Sequence, residues 1–289
     1  MKFSSSNALL VMRREYAKWL INPRHVMLFL VFIPSRELII KPMVEVSEKM
    51  GQPLGIFESC IATANSGIII MVMTAVYMVL ISSFPTIDGN VLFYIKRMGK
   101  RSWIIGEILF QCLSAVTYTL VIYLVSMLQT AGRSYLANGW SIPVTDHDRL
   151  YGRLSDIRMD TILPPNLYNQ MAPYKALFLS FSLLCLFLFT CSLIFTVGCM
   201  YSHKLLFFCL ILIQIAVGGA LYILGSKGMW YFIICHAFLS SHYSMYLRKY
   251  LFSPWTSFMM FMGLILVLCI IAYVRAHKLS VDELSEGGF

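Results

Sequence analysis

Residues 177–200 read LFLSFSLLCLFLFTCSLIFTVGCM, a run with no charged side chain. A helix needs about 20 apolar residues to cross a 30 Å hydrocarbon layer, and this run is apolar on every face, whereas a barrel strand alternates polar and apolar over roughly ten positions. It reads as a membrane-spanning helix. The runs at 67–84, 103–128, 205–224 and 255–274 have the same character. A sixth, 26–44, is flawed, because VMLFLVFIPSRELIIKP at 26–42 carries the adjacent charges Arg36 and Glu37 in its middle. Of the 289 residues 58% are apolar and 13% charged, with a mean hydropathy of +0.73, more apolar surface than a water-soluble core requires. The expected fold is an all-α integral membrane protein of six transmembrane helices, a single transmembrane domain over 1–289 with no soluble domain and no evident internal repeat.

The first 25 residues lack the pattern of a cleaved secretory signal, since Arg13, Arg14, Glu15 and Lys18 precede the apolar run and no small-residue cleavage site follows it. Leu9, Met12, Tyr16 and Trp19 recur at spacings of three and four, while Arg13, Arg14 and Lys18 fall mainly off that stripe. This pattern suits an amphipathic helix lying in the membrane surface, capped by Ser4–Ser6 and ended by Pro23. A solvated basic leader is the blander account. Six spans return the chain to its starting side, so both termini are expected to be cytoplasmic. On that arrangement 1–25, 85–102, 201–204 and 275–289 carry Lys and Arg nearly twice as densely as 41–66, 129–175 and 225–254. The bias runs in the positive-inside direction. The formal charge of +9 then reflects topology, and the spans leave no room for a soluble basic module that would bind nucleic acid.

Catalytic, metal and cofactor motifs are missing. The eight cysteines form no CxxC pair and mostly fall within spans, as small apolar packing residues do. His236 and His242 are six apart, about 240° around a helix, and cannot share one metal without a bend. No GxSxG, HExxH or paired-carboxylate pattern occurs, and GKRS at 99–102 is not a phosphate-binding loop, having Arg where Ser or Thr should follow Lys. Energy for any uphill transport would have to come from a partner.

The loop FPTIDGNVLFYIKRMGKRSWIIGEIL, 84–109, turns at Pro85, Asp88, Gly89 and Asn90, continues through Val91, Leu92, Tyr94 and Ile95, and ends in the basic Lys96, Arg97, Lys100 and Arg101. A short apolar helix followed by basic residues suits docking into a groove of a soluble partner, and equally suits anionic headgroups, worth about 1 kcal/mol per basic residue. A resemblance separates these accounts. The opening RREYAKWLINPRHVMLFLVFIP resembles the start of ABC-2 type permeases, the transmembrane subunits of bacterial ABC exporters, with their basic amphipathic helix and Asn/Asp-Pro-Arg turn before the first span. FPTIDGNVLFYIKRMGKRSW is similar to that family's first cytoplasmic loop. The resemblance implies that 84–102 is a coupling loop on a separate ATPase subunit, present in two copies and itself binding ATP and Mg. It also implies a dimer with a second permease chain, identical or homologous, in the bacterial plasma membrane. Short re-entrant helices are implied on the outer side between spans five and six, where 229–239 is apolar but too short to cross. The long polar loop 129–175, with Asp146, Asp148, Arg149, Arg153, Asp156, Arg158 and Asp160, departs from the family pattern. It is read as a lid or partner surface, or as a folded connector.

Arg36 lies ten residues beyond Val26, about 15 Å along a helix and near the bilayer midplane. Each charge at that depth costs about 2.5–3.5 kcal/mol on insertion scales, and neighbours 100° apart do not neutralise each other face to face. Either one turns toward a polar pathway, for which Glu58, Asn65, Thr74 and Gln111 are the other candidates, or Pro34 ends the span early and both reach the outer headgroups. Glu107 falls close to the cytoplasmic end of its span and suits the interface. A different class remains open: an ATPase-independent channel, secondary transporter or sensor. Nothing in the residues selects a substrate.

Overall fold

A computed structural model describes residues 5–85, 95, 97–152, 156–244 and 250–278. Helices α1 (Ser5–Leu20), α2 (Phe29–Ser35), α3 (Lys41–Met50), α4 (Glu58–Thr63) and α5 (Gly67–Ile81) are followed by α6 (Lys100–Thr130), α7 (Pro173–Met200), α8 (Lys204–Ile223) and α9 (Pro254–Lys278). The last four are long and apolar enough to cross a membrane, and they make the chain an all-α membrane protein. Their ends lie within a few residues of the runs read from sequence. α5 is apolar but only 15 residues long.

The flawed first run is one helical rod from Pro23 to Met50 that changes pitch three times: a 3-10 turn (Pro23–Leu28), α2, a π segment (Arg36–Ile40) and α3. Pro42 explains the π segment. Its ring has no N–H to donate and would crowd the carbonyl of Leu38 in an α turn, so the chain widens and the N–H of Lys41 donates to the carbonyl of Arg36, five residues back. Pro34 is carried inside α2 without ending it, so the early stop considered from sequence does not occur. The rod ends at Gly51, whose φ of 62° is the left-handed conformation that closes a helix.

α6 and α7 form the centre and run antiparallel, with Tyr123 against Phe181 at one end and Gln111 donating to Thr196 toward the other. α5 is antiparallel to α6, because the Tyr118 hydroxyl donates to the Met73 carbonyl at 2.7 Å while Phe84 lies against Phe110, ring centroids 4.9 Å apart and tilted by 46°. α9 runs parallel to α7, with Phe187 near Phe261 and Arg275 donating to the Met200 carbonyl. α8 returns alongside α5 and α7, and its Leu205, Leu210 and Ile213, like Met259, Leu266 and Ile270 of α9, stay exposed as surface suited to hydrocarbon.

α1 corrects the sequence reading. Its buried stripe is Ala8, Val11, Glu15 and Trp19 rather than the larger apolar set, and Leu9 is exposed. The reason lies on α6: Gly106 presents no side chain, so the helix axes approach until a Cβ at that position would stand 2.6 Å from the Val11 Cβ and 2.7 Å from the Ala8 carbonyl oxygen. Farther along, the Tyr16 hydroxyl meets Thr117 Oγ1 at 2.9 Å. The helix expected to lie in the membrane plane is seated lengthwise on α6.

Candidate functional site

The residues singled out as a pathway do not meet in one cavity. Glu58 opens α4 at the end of the bundle away from α1, fully buried, and accepts from the Gly55 N–H (2.9 Å), the Ser141 N–H (2.6 Å) and the Ser141 hydroxyl (2.7 Å). Burial raises its carboxyl above the usual range, against the lowering effect of those donors. It ties the loop after α6 to α4, beside Leu54–Gly55, which pair in parallel with Ser134–Tyr135. Asn65 donates to the Ile61 carbonyl (2.8 Å) and accepts from the Ser240 N–H (2.9 Å), fixing the segment before α9 to the start of α5. Thr74 only back-bonds to the Ile70 carbonyl of its own helix. Gln111 donates to Thr196, and its Oε1 has no hydrogen-bond partner among the described residues. Arg36 and Glu37 are exposed on the rod, with Glu37 paired to Lys41 at 3.3 Å in an i,i+4 contact worth a few tenths of a kcal/mol. Glu58→Gln should lower thermal stability by about 1–3 kcal/mol, because an amide nitrogen then faces buried donors. An unchanged melting temperature would remove Glu58 as the tie.

Of the coupling set, Asp88, Val91, Leu92, Tyr94 and Lys96 lie outside the described residues. Ile95 is buried in a small cluster with Trp103, Ile104, Val11, Met200 and Ala276. Arg97 and Arg101 are exposed, Lys100 is half-buried, and an Arg101 nitrogen lies 3.4 Å from His277 Nε2 at the end of α9. Arg24 donates to the Ser82 hydroxyl at 2.9 Å at the same end of α5. Basic residues from four parts of the chain, the start of the rod, residue 97, the start of α6 and the end of α9, thus gather at one end of the bundle. Within α1, Arg13 is exposed, Arg14 is half-buried, Lys18 pairs with Glu15 at 3.2 Å, and Trp19 lies against Tyr16 and His25.

Three groupings escaped the sequence reading. Glu107, expected at the interface, is buried on α6, and its Oε2 and the Oε1 of Gln111 one helical turn away have no hydrogen-bond partner among the described residues. The described residues of the loop 129–175 form a cap with a cleft of about 700 Å³ lined by Thr145, Asp148, Arg149, Gly152, Arg158, Asp160 and Tyr168. There burial acts to raise Asp148, but the Asp160 and Met159 N–H groups and the His147 ring outweigh it and hold the carboxyl below its usual range. His236 and His242 converge on one serine, Ser257 of α9. The apolar stretch expected to supply re-entrant helices instead forms 3-10 turns (Lys227–Tyr231, Ile233–Ala237, Leu239–His242), which provide the bend that α-helical spacing lacks.

No family model, curated protein or solved structure matches the chain. Among the described residues no three His, Cys, Asp or Glu side chains could hold a metal ion. What the arrangement offers is a bundle with a basic end and a polar, hydrogen-bonded cap at the other.

Proposed function

We propose that the chain is the membrane-spanning subunit of an ATP-driven exporter of the ABC-2 type, with six spans, a second such chain beside it, and two copies of a separate ATPase at its basic end. That end then faces the bacterial cytoplasm with both termini, and the ATPase supplies ATP and Mg. The observation that carries the reading is the gathering of Arg24, Arg97, Lys100, Arg101, Arg275 and Lys278 around the end that bears the loop 84–102. Positive charge at one end orients a membrane protein, and the basic loop emerges there between two apolar helices. In this reading α5 and the Pro23–Met50 rod complete the six passes. Closure of the ATPase pair pushes on the loop and rocks α5 against α6. The test is co-purification of the native complex followed by an ATPase assay. A chain that purifies without an ATPase and transports on an ion gradient alone sinks the proposal.

A second reading draws on Glu107 and Gln111. Two unpartnered acceptors buried one turn apart suit a proton or cation passing through α6, as an ion-driven secondary transporter would need. The same purification separates the two readings.

For the exporter, Arg36→Gln and Glu37→Gln are each expected to lower export while leaving the amount of folded chain unchanged. Both charges are exposed on the single chain, halfway along the rod, where lipid contact with each costs about 2.5–3.5 kcal/mol. A water-filled path or a second chain beside them removes that cost. Raised thermal stability with unchanged export, measured side by side, would put them against lipid.

A further inference from the structure

His236, His242 and Ser257 are buried together where the 3-10 segment meets the start of α9. His236 Nε2 lies 3.0 Å from the Trp230 carbonyl, and His242 Nδ1 lies 2.8 Å from the Phe238 carbonyl. A carbonyl oxygen only accepts, so each of these nitrogens carries the proton of its ring. The Ser241 hydroxyl does not alter this, since it points its proton at the Phe238 carbonyl at 2.7 Å. The remaining nitrogens, His236 Nδ1 and His242 Nε2, are then lone pairs in the neutral rings. Both stand 2.8 Å from the same atom, Ser257 Oγ. Ser257 has one proton to give. With both rings neutral the three-atom chain has two contacts and a proton for only one of them.

We propose that His236, Ser257 and His242 form a proton-binding latch between the 3-10 segment and α9, which closes with at most one added proton and is opened by a second. The first proton binds His236 Nδ1, which donates to Ser257 Oγ, while the serine proton goes to His242 Nε2; both contacts are then met. A second proton puts imidazolium on both sides of one hydroxyl; its two lone pairs can accept from both, but the serine proton loses its acceptor on His242 and the two buried charges repel. Separated from α9 and wetted, the two rings bind two protons near the ordinary histidine value of about 6.5. Acid therefore favours separation by linkage. Burial among Trp230, Phe252 and Phe261 agrees with this sign, holding both rings below the usual range, His242 at about 4.

Among the described residues no charged side chain faces the latch. The turn carrying Trp230 has Lys227, which is exposed, and Tyr231, which points outward. α8 contributes Tyr222, bonded to Ser240, and the segment itself Cys235, which donates to the Gly218 carbonyl. Cys185 and Cys191 of α7 lie toward Thr119 and Tyr77 rather than the latch, α9 has no titratable residue before Cys269, and Tyr243 and Tyr250 lie against each other. Each histidine is the other's titrating neighbour. The inference does not rest on the exporter reading.

The test is ¹⁵N NMR of the histidine rings in the full chain in lipid nanodiscs, assigned by single His→Gln variants, with amide hydrogen exchange of 233–243 followed over roughly pH 7.5 to 4. At pH 7.5 both rings should be neutral and of opposite tautomer, His236 protonated at Nε2 and His242 at Nδ1. On acidification one ring should take up a proton with exchange protection retained, and uptake by the second should coincide with loss of that protection. Ser257→Ala should lose protection already at neutral pH. His236→Asn places a permanent N–H donor on Ser257 and should hold protection to a pH lower by a unit or more. If Ser257→Ala does not fold, the wild-type tautomers and His236→Asn still decide. Matching tautomers at pH 7.5, independent titration of the two rings near ordinary values, or protection that ignores their titration would each overturn the latch.

Discussion

Gly106→Leu should unseat α1 from α6 and cost the chain about 3 kcal/mol or more, the upper part of what overpacked cores show. The first added atom already decides the outcome. A Cβ at this position would stand 2.6 Å from one side chain and 2.7 Å from a backbone oxygen, and the backbone cannot swing aside as the end of a long side chain can. Relief requires α1 to move as a body, withdrawing Val11 and Trp19 from their contacts and the Tyr16 hydroxyl from Thr117. It would also expose Glu15 and Glu107, both buried where the two helices meet. Gly106→Ala should show the same effect in smaller degree. The measurement is the melting temperature in detergent together with tryptic cleavage after Arg14 and Lys18, which should accelerate in both variants in the order Ala, then Leu. Unchanged melting and cleavage would mean that α1 is not seated on this glycine.

The long helices were legible because a run of twenty apolar residues has one stable form in lipid, and α6 to α9 match 103–128, 177–200, 205–224 and 255–274 to within a few residues. Which face each helix buries was not legible. A span that is apolar all round has no period from which to read a face, and even amphipathic α1 misled, since the small residue that chose its stripe, Gly106, lies ninety-five residues beyond Val11 on another helix. The charges at 36 and 37 stand out in the sequence, but the extension of the helix past them to Met50 depends on a π segment accommodating Pro42, which propensity treats only as a break. Glu58 and Asn65 stood out as polar groups near a span. Their partners Ser141 and Ser240 come from distant loops, so a structural tie and a pathway residue looked alike. Helical spacing puts the two histidines on different faces, and nothing in the sequence announces the 3-10 turns that bring them onto one serine.

On the proposed exporter reading, reversing Lys96, Arg97, Lys100 and Arg101 to Glu should abolish ATP-driven export while leaving the helices folded. Arg97 and Arg101 are exposed, and surface changes away from special features usually cost within about 0.5 kcal/mol. The apolar part that packs here, Ile95 against Trp103 and Met200, is left untouched. If the proposed ATPase presents an acidic surface to this loop, an acidic loop introduces like-charge contacts worth several kcal/mol, so ATPase binding should fall by roughly tenfold or more. The loop's other suitor, anionic headgroups, predicts a different result. Each basic residue contributes about 1 kcal/mol there, and their loss would disturb membrane insertion or orientation without severing the chain from an ATPase. Three readings on one variant therefore suffice: circular dichroism for the helices, pull-down for the ATPase, and export in vesicles. Folded helices with the ATPase lost and export gone support coupling through 84–102. An ATPase still bound with export intact would leave the basic end to the lipid surface.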